Sequence, residues 1–261
     1  EGLIHAGSMT DAQRLMVGVI LASVWWLQRR NERRPGGLPM VILLLCVAAL
    51  LLSFKRGSWA CTLVCAGAMV VRHLNRRSIL LVLLMGAVIV NLPPVRDRLL
   101  AVQQEFQEAH GGRWLMWKRI APAIIKDYPE GIGWHSLTSE WMKEIAIDVE
   151  PGRNHLHSNI VQVLVETGWA GFIVYAVWML RALLDALGFR LFASERDVML
   201  ARGILFALLA LLLNGLVEYN FGDSEIILLY AFLMGWAAAG VRLATGRSSG
   251  TSNAPKHAVR A

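Results

Sequence analysis

Charge is scarce in this chain. Lys, Arg, Asp and Glu supply 17% of its 261 residues, and 56% are hydrophobic, whereas a soluble domain carries about 25% charged residues. The apolar residues come in long blocks, which reads as a polytopic membrane protein. Cysteine is scarce too: there are three, Cys46, Cys61 and Cys65, all inside apolar blocks, which excludes a disulfide framework. Cys61 and Cys65 share a helix face, a spacing open to a metal ligand pair or, more ordinarily, to small packing residues. There is no GxxxxGK[ST], no GxGxxG opening a nucleotide fold and no HExxH, so the nucleotide-fuelled and zinc-protease classes have no foothold. The carboxylates of the long polar segment are dispersed rather than clustered. The reading therefore assigns no metal and no cofactor, and energy has to come from a substrate activated beforehand.

The net charge is +7. Its Lys and Arg residues sit mostly at the ends of apolar blocks, where they serve as topology signals and meet lipid headgroups. Nucleic acid is not the expected partner. Seven apolar blocks are expected to span: Leu15–Leu27, Leu38–Phe54, Gly57–Val71, Ser78–Leu92, Trp169–Leu187, Met199–Val217 and Ile226–Val241. The first is the weakest and reads as one end of a longer helix starting near Thr10. Arg29, Arg30, Arg33 and Arg34 follow the first block, Arg72, Arg76 and Arg77 the third, Arg190 and Arg196 the fifth, and Arg242 and Arg247 the last. By the positive-inside rule these links are cytoplasmic, and they alternate correctly through seven spans.

The expected fold is thus all-α, a polytopic membrane protein of about seven transmembrane helices with one large outside loop containing amphipathic helices. Its divisions are residues 1–92 (four spans), 93–157 (the loop), 158–243 (three spans) and 244–261 (a disordered cytoplasmic tail rich in Ser, Gly and Pro). The chain begins EGLIHAGSMTDAQ, like the middle of a loop, so a longer protein with earlier spans is expected.

Within the outside loop, PPVRDRLLAVQQEFQEAH reads as an amphipathic surface helix. Next, Trp114, Trp117, Ile120 and Ile124 fall on one helical stripe with Lys118 and Lys126 off it, as in a helix lying at a membrane interface. The segment PEGIG, Pro129–Gly133, ends that helix in a turn.

The chemistry-bearing residues gather where the loop meets the fifth span. His157 stands at its outer mouth, where a histidine can act as a general base or hold a hydroxyl. Arg153, Asn154 and His155 crowd the same turn, and Ser158 or Asn159 is placed to cap the helix. Arg56, next to Lys55 in the turn between the second and third spans, and Arg113, after two glycines, are expected on the same side. Planar guanidinium forks suit a lipid pyrophosphate, though Arg56 also fits a snorkelling flank residue and Arg113 a surface charge. Glu166 leads into the fifth span. A carboxylate near the membrane is costly, and pairing with an arginine explains it as well as catalysis does. On a continuous helix it would face away from His157; a break at Gly168 would change that. Asn214 and Glu218, one turn apart at the outer end of the sixth span, line the cavity or pack against other helices. Arg181 and Asp185 read as a local ion pair.

The stretch HSNIVQVLVETGWAG has a histidine, a serine, nine residues, Gly168, two residues and Gly171. It resembles the signature of the bacterial O-antigen ligase family. RWLMWKRIAPAIIKDYPEGIGW resembles that family's Arg…Trp…Pro-x-Gly-x-Gly segment, and SFKRGSWA its Ser-x-x-Arg-Gly turn, in the family order. The resemblance implies an all-helical enzyme of the bacterial inner membrane whose active site faces the periplasm. It implies a metal-independent, inverting glycosyltransferase that moves a glycan from undecaprenyl pyrophosphate to lipid A-core. His157 would then activate the acceptor hydroxyl. Arg56 and Arg113 would hold the donor pyrophosphate, with Lys55, Arg153, Asn154, His155 and Glu166 as further binding residues. The superfamily also contains O-antigen and exopolysaccharide polymerases, which remain the alternative. A transporter is disfavoured because the spans are nearly free of charge and show no clear repeat.

Overall fold

A computed structural model of the chain describes residues 9–70, 80, 84, 86–88, 90–100, 112–146, 149, 152–195 and 197–250. The regular secondary structure of these residues is helical. The first helices are α1 (Met9–Asn31), α2 (Gly37–Leu52), α3 (Arg56–Val70) and α4 (Pro93–Leu100). The polar segment holds α5 (Arg113–Leu115), a π-helical turn (Met116–Ile120), α6 (Ala121–Asp127) and α7 (Ser139–Ile145). Three long helices follow, α8 (Asn159–Phe192), α9 (Val198–Asn214) and α10 (Ser224–Gly250).

Two helices, Asn159–Phe192 and Ser224–Gly246, are long and apolar enough to cross a membrane, and Gly37–Leu52 and Val198–Asn214 are shorter apolar helices. Seven spans are therefore met only in part. Part of the fourth expected block, the basic link before it and the second half of the expected surface helix lie outside the described residues. Outward faces are apolar: Leu45, Leu63, Val174 and Leu228 are each more than 60% exposed. A soluble monomer rarely tolerates such a coat, whereas lipid does.

The first helix starts earlier than its apolar block because its polar residues have buried partners. Gln13 Nε2 donates to Asn214 Oδ1 at 3.0 Å, and Ser23 Oγ donates to the Val19 carbonyl one turn back at 2.7 Å. The last helix runs on to Gly250, so the first residues of the expected tail continue it instead of being disordered. The loop helix also departs from its expected stripe. The π-helical turn inserts extra backbone per turn and shifts the register, so Ile120 and Ile124 are buried while Trp114 is 40% exposed, with Lys118 Nζ 4.4 Å above its ring.

Two cores result. Met16, Ile20, Cys65, Met179, Leu208 and Tyr230 pack between α1, α3, α8, α9 and α10. Leu115, Ile120, Ile124, Met142, Leu156 and Val165 bind the loop helices to the first turns of α8. The helices alternate in direction. Thr10 Oγ1 donates to Asp223 Oδ2 at 2.7 Å, and Gly57 lies against Asn214 and Glu218. The starts of α1, α3, α8 and α10 therefore share one end with the close of α9. Arg29, Arg30, Arg190 and Arg242 lie toward the other end. Arg181 and Asp185 form their expected local pair at 3.0 Å.

Candidate active site

The break at Gly168 builds the floor of the site. Gly168 adopts φ +65° and ψ −172° inside α8, a region open essentially to glycine alone. A break in the ladder leaves carbonyls without their usual donors, and the loop supplies them. Ile132 N–H donates to the Val165 carbonyl at 3.1 Å and Gly133 N–H to the Glu166 carbonyl at 2.9 Å. This needs backbone on backbone: a Cβ on Gly131 would lie 2.5 Å from Gly168 N, and one on Gly168 2.4 Å from the Glu130 carbonyl carbon. The Pro-x-Gly-x-Gly segment and the glycine after the histidine are thus two halves of one contact.

Glu166 serves this floor. Its Oε1 accepts from the His135 N–H at 3.1 Å and from Gln162 Nε2 at 2.8 Å. Gln162 Oε1 in turn accepts from the Leu156 N–H at 2.8 Å, and the Leu156 carbonyl accepts from Trp117 Nε1 at 2.7 Å. Leu156 is fully buried. The run His155-Leu156-His157 is therefore pinned by its middle residue, with a histidine on either side.

His157 precedes the helix rather than lying in it. Its φ is +50°, a left-handed conformation uncommon outside glycine, and Ser158 is the N-cap, accepting weakly from the Val161 N–H at 3.5 Å. Asn159, the other capping candidate, clamps the α9–α10 connection instead. Its N–H donates to the Gly215 carbonyl at 2.7 Å, and its Oδ1 accepts from the N–H groups of Asn220 and Phe221 at 2.9 and 3.0 Å. Its Nδ2 donates to Asn220 Oδ1 at 2.6 Å.

That clamp delivers Glu218, which leaves the helix after Asn214 and reaches the centre of the site. Arg113 Nη2 donates to Glu218 Oε1 at 2.6 Å, and His157 Nδ1 lies 3.3 Å from Glu218 Oε2. Both carboxylate contacts are largely shielded, with side-chain exposures of 11%, 18% and 9% for Arg113, His157 and Glu218. On the far side of the ring, Arg153 Nη1 meets His157 Nε2. A guanidinium only donates, so the network assigns the proton to Nδ1 and the lone pair to Nε2.

His155 packs edge-on to His157, with centroids 4.4 Å apart, and stacks on Tyr219. Burial first, then the neighbouring His157 and Arg153, push its pKa down to about 4, so it stays neutral. Tyr219 stays protonated because burial and the Glu166 and Asp223 carboxylates raise its pKa. Asn154 is exposed, and its Oδ1 lies 3.1 Å from His155 Nδ1. Arg56 opens α3 half-buried, and the next residue, Gly57, lies against Asn214 and Glu218. Lys55 donates its N–H to Ser53 Oγ at 3.4 Å in the turn before it.

His157, Arg113, Arg153 and His155 thus meet around Glu218, and Glu166 lies behind as a support. Sequence reasoning left Glu218 open and missed Tyr219, Gln162 and Asn220. The signal for Glu218 was a carboxylate at the outer end of a span, on the side where the histidine and arginines gather. Among the described residues, no group of three or more His, Cys, Asp or Glu is placed to hold a metal ion.

No curated protein matches the chain. The O-antigen ligase family profile matches residues 41–176, just over half of the chain, and takes in Arg56, Arg113, Arg153, His157 and the glycine contact. With that match over more than half of its length, the chain belongs to the O-antigen ligase family of membrane enzymes.

Proposed function

We propose that this chain carries the active site of an O-antigen ligase that transfers a glycan from undecaprenyl pyrophosphate to lipid A-core at the periplasmic face of the inner membrane. The observation that carries the reading is the shared carboxylate: Glu218 holds Arg113 on one oxygen and His157 on the other. The side is argued from charge, since the site end lies opposite the arginine-rich ends that the positive-inside rule keeps in the cytoplasm.

Transfer then needs three things. His157, with Nδ1–H donating to Glu218, offers Nε2 to the acceptor hydroxyl and takes its proton. The hydroxyl oxygen bonds to the anomeric carbon, and the carbon–oxygen bond to the pyrophosphate breaks with its electron pair on the phosphate oxygen. Arg113 and Arg56 stabilise that leaving charge from preorganised positions. Glu218 keeps the imidazole oriented and balances the proton it receives.

Removal of either arginine weakens donor use. Arg113→Ala and Arg56→Ala are each expected to lower transfer about 10²–10³-fold, the scale of deleting one donor to a developing anion. Arg113→Lys recovers part of the loss. Donor titrations with purified full-length enzyme measure this, and unchanged donor affinity and rate in Arg56→Ala would remove that residue from the donor site.

The acceptor is tested with undecaprenyl-pyrophosphate glycan, with and without lipid A-core, and with a chelator in duplicate tubes. Glycan on lipid A-core alone, undiminished by the chelator, is the expected result. Longer chains on the lipid carrier without lipid A-core would make the enzyme a polymerase of the same superfamily, and inhibition reversed by one added metal would overturn the metal-free chemistry.

A further inference from the structure

Glu218 stands on a connection rather than on a helix, and the first helix holds both ends of that connection. Residues 215–223 join α9 to α10. At the start, Gln13 Nε2 of α1 donates to Asn214 Oδ1 at 3.0 Å, and the Asn214 carbonyl accepts the N–H groups of Val217 and Glu218 at 3.1 and 3.0 Å. At the end, Thr10 Oγ1 donates to Asp223 Oδ2 at 2.7 Å. Thr10 and Gln13 are three residues apart and so share one face of α1. We propose that α1 is a splint for the base: Thr10 and Gln13 fix the two ends of the connection, so that Glu218 stands where it can hold His157. Both act through Glu218, as positioning residues. This rests on the reading of His157 as the base and of Glu218 as its support.

Stability alone does not account for Gln13. Its side chain is fully buried, as is that of Asn214, and Gln13 Oε1 has no hydrogen-bond partner among the described residues. A buried polar atom without a partner is unfavourable, and an apolar side chain of the same length avoids that. An apolar side chain cannot, however, hold Asn214 in one orientation, because the hydrophobic effect has no direction. Direction is what the site demands. Glu218 has to meet Arg113 Nη2 at 2.6 Å with one oxygen and His157 Nδ1 at 3.3 Å with the other. Asn159 grips the middle of the same connection from α8, at Asn220 and Phe221, but it leaves the residues on either side of that grip to be placed. Gln13 secures the side that carries Glu218, and Thr10 the side that enters α10.

The test measures glycan transfer by purified full-length enzyme at saturating donor, so that kcat is read apart from donor KM, with melting in detergent alongside. Gln13→Met keeps the length of the side chain and removes the hydrogen-bond donor. It is expected to lower kcat about tenfold, the scale of one hydrogen bond, with near-normal melting. Thr10→Val lowers kcat in the same way, and Thr10→Ser, which restores the hydroxyl, recovers it. Ser23→Ala is the control: it removes a hydrogen bond internal to α1, from Ser23 Oγ to the Val19 carbonyl, and transfers at the full rate. The deciding arm is a double-mutant cycle. Glu218→Gln alone loses more than either α1 variant, and adding Gln13→Met or Thr10→Val to it costs nothing further, because residues that act through one another are not additive. Full kcat in both α1 variants, losses that multiply with that of Glu218→Gln, or an equal loss in Ser23→Ala would overturn the splint. If Gln13→Met melts early, Thr10→Val, its serine rescue and its own cycle decide the point. Normal transfer by Glu218→Gln would instead sink the reading of Glu218 as the support of the base, and the splint with it.

Discussion

Glycan transfer by His157→Ala is expected to fall by about 10²–10⁴-fold, the usual contribution of a positioned base, with the protein still folded in the membrane. The ring is held by Glu218 at Nδ1, and neutral His155 is occupied by Asn154 and stacked on Tyr219, so no neighbour substitutes for it. Because φ at this position is +50°, His157→Asn makes the sharper test: asparagine accepts the left-handed backbone more readily than alanine does. Both variants should show the same loss of rate and near-normal melting in detergent. Transfer within a few-fold of the unmodified enzyme in either one would take His157 out of the mechanism.

The second large effect is structural. Gly168→Ala puts a Cβ within 2.4–2.6 Å of the Glu130 carbonyl and Pro129 oxygen, at a φ of +65°. Strain in that region alone costs about 1–3 kcal/mol, and the contact is with backbone, which cannot rotate away. We expect a marked drop in melting temperature and loss of transfer, since the displaced loop carries the His135 N–H that Glu166 holds. Gly67→Ala is the control. Gly67 sits within α3, where an added Cβ meets nothing within 4 Å, and a helical Gly→Ala is neutral or stabilising by up to about 1 kcal/mol. Equal melting of the two variants would show that the loop and helix do not need this approach.

What could be read beforehand follows from the range of the signal. Hydropathy is local, so α2, α8, α9 and α10 were legible as apolar runs and α1 as a longer helix from near Thr10, while the partner of Gln13 was not, because it lies on another helix. His157 announced itself through its crowded turn. Glu218 did not, because it reaches His157 across 61 residues of chain and looks locally like the polar end of a span. Glu166 drew attention as a carboxylate near the membrane, yet its hydrogen bonds go to the loop floor. The same local view missed the π-helical turn, whose extra residue per turn leaves Trp114 exposed and Ile120 buried.

The Asn159 clamp also sets an order of events in synthesis. Chains emerge from the amino terminus and fold in that order, so Arg113, Arg153 and His157 are all made before Glu218, Asn220 and Phe221 exist. Until α9 and the start of α10 have been made, Asn159 has no connection to grip and the imidazole has no carboxylate beside it. A nascent chain halted before that point would carry the family's recognisable motifs without Glu218 beside His157, so the site is assembled only once α9 and the connection after it have been made.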